Sequence, residues 1–277
     1  MNIILGIDVG GSTTKIVGFS SDDNLIGTLQ VKADDQITSM YGAIGNFLRR
    51  FNISLRNVIK IVLTGVGSSL ISDNVYGIPT IKVDEFEAIG LGGTKLSHLE
   101  QALVVSMGTG SAYVRVSHKQ VTHIGGSGIG GGTLLGLSSK LISESDISTI
   151  VSIAEKGDLA NVDLLVEDIS DKVMPSLPSH ATASNFGKIQ NIASNADMAL
   201  GLISMILQTV GIMAAFACKD SQIKDIVLIG SLSVLPQAKE IFNELSELHQ
   251  VNFVIPDHSV FATAIGATVP YLHTSEE

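Results

Sequence analysis

The chain has 277 residues, with 17 Lys+Arg against 27 Asp+Glu, a formal net charge of −10. Its 45% hydrophobic and 16% charged content suits a folded core and argues against disorder, and the acidic balance argues against a nucleic-acid partner held through phosphate contacts. A single cysteine, Cys218, excludes an intrachain disulfide framework and any multi-cysteine metal site, which fits a reducing cytoplasm.

Apolar runs bounded by turn residues predict strands at 2–8, 13–19, 25–32, 58–64, 102–107, 111–116, 119–124, 225–229 and 251–255. Longer periodic stretches predict helices at 37–51, 84–100, 131–142, 185–194, 197–218, 234–247 and 260–272. Three strands followed by helix–strand alternation occur in 1–90. A second three-strand start at 102–124 leads into mostly helix, with strands returning near the C-terminus. Such a repeated plan implies two α/β lobes with a cleft between them, divided here as 1–100 and 101–277. The segment 157–184, rich in Asp, Ser and Pro, reads as a helix-poor connection within the second lobe. The N-terminus has no basic region and meets Asp8 early, so no signal peptide is expected. Residues 198–218 carry no formal charge and are long enough to span a bilayer. They also contain Ser204, Gln208, Thr209 and two glycines, so they are expected to form a core or homodimer helix rather than a membrane anchor.

Glycine is frequent, 28 residues against about 19 at ordinary usage, and its clusters carry the chemistry. The first is Asp8-Val9-Gly10-Gly11-Ser12-Thr13-Thr14-Lys15, between the first two strands. Adjacent glycines let successive backbone N–H groups approach a phosphate. Asp8 suits a divalent cation, and Lys15 adds a point charge for phosphate oxygens. An ordinary hairpin would use glycines here too. The second, Ser106-Met107-Gly108-Thr109-Gly110-Ser111, again joins two strands. Two such turns are what a cleft gripping a polyphosphate from both sides requires. Neither is a P-loop. The third, 125–132 followed by Thr133, contains Gly126-x-Gly128-x-x-Gly131, so a dinucleotide site is a rival reading and a flexible linker another. Its place after hairpin strands favours a helix N-terminus offering free N–H groups to an anion. Asp84 and Glu85 start a predicted helix. Acids there commonly cap the first turn, but Glu85 can also face a cleft as a general base, with Glu87 in reserve.

These blocks resemble a known family. The turns at 8–15 and 106–111 look like the phosphate loops of the actin-like ATPase and sugar-kinase superfamily. Val83-Asp84-Glu85-Phe86-Glu87-Ala88, the run 125–132 with Thr133-Leu134-Leu135-Gly136-Leu137, and Thr182-Ala183-Ser184-Asn185-Phe186-Gly187 resemble type II pantothenate kinases. So do Ile229-Gly230-Ser231 and residues 262–267. The resemblance runs over about 2–272. It implies an α/β fold of two ribonuclease H-like lobes with an interlobe cleft, and ATP- and Mg²⁺-dependent phosphorylation of the primary hydroxyl of pantothenate, the first step towards coenzyme A. It further implies Glu85 as general base, Asp8 as metal residue, and nucleotide binding by Asp8, Gly10, Gly11, Ser12, Thr13, Lys15, Thr109, Gly110, Gly131, Gly132, Thr133, Leu134, Leu135, Gly230 and Ser231. Gly108, His123, Thr182 and Ala183 fall on the acceptor side. Coenzyme A thioesters are the feedback ligands it leads one to test.

One departure stands out. Where the family usually carries Arg before the glycine run, this chain has His123, which is shorter and cannot make a bidentate fork. A related small hydroxy acid or amide as acceptor, or a non-catalytic nucleotide-binding protein of the same fold, therefore stands as an alternative.

Overall fold

A computed structural model describes residues 2–33, 35–118, 120–170, 178–219 and 221–272. The first lobe opens with β1 (Ile3–Val9), β2 (Thr13–Ser20) and β3 (Leu25–Lys32), followed by α1 (Gln36–Arg50), β4 (Val58–Thr64), β5 (Thr80–Lys82) and α2 (Glu85–Ser97). Every residue of β1 is buried, as a strand covered on both faces must be. Helix α1 starts where the Asp35 carboxylate accepts the Thr38 N–H at 2.7 Å. Its Met40, Ala43, Ile44 and Phe47 recur at helical spacing and bury one face against the sheet.

The second lobe repeats the plan: β6 (Ala102–Met107), β7 (Ser111–Ser117), β8 (Gln120–Ser127), α3 (Gly131–Leu141) and α4 (Ile147–Ala154). Then come β9 (Leu164–Leu165), α5 (Val166–Ile169), β10 (Thr182–Ser184), α6 (Asn195–Cys218), β11 (Asp225–Ile229), α7 (Pro236–His249), β12 (Asn252–Val254) and α8 (Ala262–Thr268). The strand orders are β3-β2-β1-β4-β5 and β12-β11-β6-β7-β8. In both sheets the first strand pairs antiparallel with the second and parallel with the fourth or its counterpart. The two sheets are therefore one topology used twice.

Helices α2 and α8 lie between the sheets. Ile4, Val17 and Val62 of the first sheet pack with Ala88 of α2 and Ala264 and Ile265 of α8, so the last helix of the chain packs on the first sheet. Ile89 of α2 packs with Val104 and Val114 of the second. The helices cross backbone to backbone. A Cβ on Gly92 would overlap the Ala262 carbonyl oxygen, and one on Gly266 the Ala88 carbonyl oxygen.

Helix α6 passes a membrane-span test on length and a mean hydropathy of 2.0. Most of it is buried inside its own lobe, against β6, α4 and α7. Its buried residues go right round the helix, which explains a sequence that is apolar on every side.

One expectation differs from the fold, and some elements were not expected. The helix expected at 185–194 is a series of turns. There the N–H groups of Phe186, Lys188 and Gln190 are taken by the Asp163 carboxylate, the Val162 carbonyl and the Asn161 carbonyl, which leaves no helical ladder. Helix α4 and strand β5 were not expected. Of the 157–184 connection, residues 171–177 lie outside the described residues; the rest holds the β9–β10 ribbon and two short helical turns, Leu159–Asn161 and α5.

Candidate active site

A cleft of about 460 Å³ lies between the lobes. From the first lobe it is lined by Asp8, Gly10, Gly11, Ser12, Thr13, Lys15 and Glu85. From the second come Gly108, Thr109, Gly110, Gly131, Gly132, Leu135 and Ser231. The two glycine hairpins meet directly: Ser12 Oγ and Thr109 Oγ1 are 3.0 Å apart, across 97 residues of sequence.

Sheet register sets the floor of the cleft. Asp8 pairs with Lys15 across the β1–β2 ladder and with Thr64 across β1–β4, and Lys15 pairs with Gln30 on β3. Cross-strand partners share a face, so Thr64, Asp8, Lys15 and Gln30 form one row. Lys15 Nζ stands 3.7 Å from Asp8 Oδ2, with both side chains nearly buried. Burial holds the Asp8 carboxyl above its ordinary range in spite of that cation.

Glu85 opens α2 immediately after the cap. The Asp84 carboxylate accepts the Phe86 and Glu87 N–H groups at 2.9 and 3.1 Å, so capping falls to Asp84 and leaves the half-buried Glu85 free for the cleft. Burial raises the Glu85 carboxyl above its ordinary value. The charges of Asp8 and Asp84 add to the rise, and Lys15 and the Val66 N–H oppose it. Two acids whose affinity for protons is raised, in one cleft, are a common mark of acid–base chemistry. Glu87 is exposed and points elsewhere.

The glycine run before α3 works differently from the expectation of free donors. The Gly131 and Gly132 N–H groups donate to the Gly108 and Thr109 carbonyls at 2.8 and 2.9 Å. The Gly130 N–H goes to Thr133 Oγ1, which itself donates to the Gly128 carbonyl. A Cβ on Gly130 would sit 2.7 Å from both Gly110 Cα and the Thr109 oxygen. These glycines let the start of α3 lie on the second hairpin, so the helix buttresses that loop, and its dipole still faces the cleft.

Other expected residues lie off the cleft wall. Leu134 is in the core, Thr133 is spent on the local bonds above, and Gly230, at φ +93°, backs onto the Met107 backbone. His123 is exposed on β8 and stacks on Phe86, ring centroids 3.7 Å apart at 12°. It is thus next to the residue that follows Glu85. Thr182 and Ala183 sit on the β9–β10 ribbon, where the Thr182 hydroxyl donates to the buried Asp163 carboxylate at 3.0 Å. Motif reading missed Gln30, Val66, Ala112, Ile147 and Leu232 of the lining. Only strand register would have revealed Gln30, by its place opposite Lys15.

The family model described as Fumble matches residues 94–269. The chain belongs to the Fumble family. The matched span starts within α2, so this Fumble chain carries its first hairpin and Glu85 ahead of it. Over its whole length it is similar to a type II pantothenate kinase of Staphylococcus haemolyticus (strain JCSC1435), 27% identical over 276 residues, covering 95% of this chain and 98% of that protein. Among solved structures, it superposes on an activator of the 2-hydroxyisocaproyl-CoA dehydratase from Clostridium difficile with bound ADPNP. The TM-score there is 0.69 at 14% identity, over 98% and 94% of the two chains. A ROK family glucokinase from Streptomyces griseus in complex with glucose and AMPPNP gives 0.63 at 11% identity, over 96% and 98%. These likenesses give the two-lobed fold of the actin-like ATPases and sugar kinases.

Proposed function

We propose that the chain is an ATP-dependent kinase that phosphorylates the primary hydroxyl of pantothenate, the first step of coenzyme A biosynthesis. The observation that carries a kinase is one cleft in which two facing glycine hairpins, Lys15 and two acids converge. The acceptor rests on the similarity to a type II pantothenate kinase along nearly the entire chain.

Phosphoryl transfer asks mainly for positioning and charge neutralisation. The hairpins at 10–13 and 108–110 cradle the triphosphate, and Lys15 neutralises its oxygens. Glu85 accepts the proton of the acceptor hydroxyl as that oxygen bonds to the γ-phosphorus and the β–γ bridging bond breaks, releasing ADP. A base of raised proton affinity suits that task near neutral pH. Leu135 and Ser231 flank the nucleotide. Asp8 fits a magnesium ion: its carboxylate is buried and its nearest cation is at 3.7 Å. Among the described residues no cluster of three His, Cys, Asp or Glu side chains could cage a metal alone. Such an ion, held by one carboxylate, water and the phosphates, would screen the developing charge.

We place His123 at the acceptor rim through Phe86, and the 182–183 ribbon near the acceptor through Asp163. The protein works in the cytoplasm as a homodimer joined along α6, whose Met213 and Phe216 remain exposed, with coenzyme A thioesters as feedback ligands to assay. A non-catalytic nucleotide-binding role is not favoured, because Glu85 is free of capping and lines the cleft.

A coupled ADP-release assay with MgATP over pantothenate, pantetheine and related hydroxy acids tests the reading. Pantothenate-dependent ADP release is expected; background release with every acceptor refutes it. Light scattering tests the dimer, and a monomer at micromolar concentration overturns it.

A further inference from the structure

The turn ending β4, Thr64-Gly65-Val66, belongs to no phosphate motif, yet it touches both acids of the cleft. Thr64 is the parallel partner of Asp8, on the same sheet face at a strand spacing of about 4.8 Å. Gly65 has φ +84°, and a Cβ there would lie 2.5 Å from Asp8 Oδ1 and 2.7 Å from the Val9 oxygen. Val66 lines the cleft, and its N–H faces Glu85. The turn is thus the partition between the two carboxylates.

Thr64 itself is anomalous. It is fully buried, and its Oγ1 has no hydrogen-bond partner among the described residues. The rest of the strand end is apolar: Ile61, Val62 and Leu63 are buried with no exposure at all. Valine has the same shape, prefers strands and would leave no orphaned hydroxyl. The Asp8 carboxylate is held on its other side only at ion-pair distance, so it is free to take another donor.

We propose that Thr64 is a positioning residue for the phosphoryl-transfer site: its hydroxyl donates to the Asp8 carboxylate when a metal–nucleotide occupies the cleft, and Gly65 leaves the space that carboxylate needs. The inference rests on the reading of Asp8 as the metal-facing acid. The hydroxyl is then a donor held in reserve for the loaded cleft. It fixes the carboxylate without touching substrate.

The experiment compares wild type, Thr64→Val, Thr64→Ser and Gly65→Ala by melting temperature, by calorimetric binding of ATP with magnesium or with EDTA, and by steady-state kinetics. Thr64→Val is expected to raise the melting temperature of the free protein by about 2–4 °C, as loss of a buried unsatisfied hydroxyl should. It should also weaken MgATP binding and lower kcat, each about tenfold. ATP binding in EDTA and the acceptor KM should hold. Thr64→Ser keeps the hydroxyl and should behave as wild type. Gly65→Ala, placing a methyl against Asp8 Oδ1, should reproduce the MgATP defect. A Thr64→Val protein that binds MgATP within twofold of wild type overturns the inference. Wild-type binding that does not depend on magnesium overturns instead the reading of Asp8 on which it rests.

Discussion

Replacing Lys15 with methionine tests the electrostatics of the cleft floor most directly. The stem of the side chain stays and only the charge goes. Lys15 Nζ lies 3.7 Å from Asp8 Oδ2, and the two side chains are 9% and 11% exposed. Two unit charges at that separation attract by about 4.5 kcal/mol at an effective dielectric of about 20. Breaking a buried pair by removing one partner costs about 3–5 kcal/mol, a figure of the same size. The pair itself is no large net gain, since burial already holds the Asp8 carboxyl above its ordinary value with Lys15 present. Without Lys15 that carboxyl must rise further.

The sign of the pH dependence follows. The folded protein suffers the full cost while Asp8 is ionised, above its raised pKa. The cost is lost as pH falls through that value, because a protonated Asp8 no longer needs a counter-charge. At about pH 8 Lys15→Met should lower the melting temperature by roughly 6–20 °C, using about 2–4 °C per kcal/mol for a domain of this size. Melting followed by circular dichroism at about pH 8 and about pH 5 should show the deficit shrink on acidification. In an Asp8→Asn background the same substitution should cost little. An equal deficit at both pH values, or an undiminished one beside Asp8→Asn, would refute the argument.

Glu85→Gln should lower kcat by about 10²–10⁴-fold in the ADP-release assay while leaving MgATP binding in place. Because the fold disfavours the ionised Glu85, the same substitution should raise the melting temperature above the raised Glu85 pKa and leave it unchanged well below. His123→Arg should reduce the acceptor KM about tenfold without moving the ATP KM, if a charged fork at the rim reaches the acceptor; equal KM values would separate His123 from the substrate. Gly266→Ala forces a methyl into the Ala88 carbonyl and the Gly92 nitrogen, so chemical denaturation should show a loss of about 3 kcal/mol or more, at the upper end of overpacking costs.

The parts of the site legible in the sequence are those whose chemistry is local. Two glycine hairpins, an Asp ending a strand, a Lys on the next strand and an Asp-Glu pair opening a helix all announce themselves by residue type and spacing, and they meet in one cleft. What escaped depends on contacts between distant segments. Gln30 and Thr64 join the row only through the register of β3 and β4, which no single strand reveals. The 185–194 stretch has enough helical periodicity to suggest a helix, but the Asp163 carboxylate draws in Thr182, Asn185 and the Phe186 N–H and holds turns instead. The glycines of 130–132 suggest free N–H groups, because nothing local says that the second hairpin will lie against them. Likewise α8 follows β12 in sequence, yet its alanines complete the core of the first sheet.

That last packing bears on how the cleft works. Glu85 stands at the start of α2, whose later turns are wedged between sheets. Gly90 and Gly93 bring the helix against Val116, Val121 and Val104 of the second sheet, and Gly92 brings it against α8. Side chains that interdigitate resist sliding, whereas glycine faces meeting a backbone or a smooth valine surface do not. Helix α2 is thus anchored at its start by β5 and packed along its length on the opposite lobe. The Ser12–Thr109 contact exists only where the hairpins are close. With Ser12 and Thr109 in contact, both hairpins and Glu85 line one cleft, so the same packing of the two lobes holds the phosphate loops and the base.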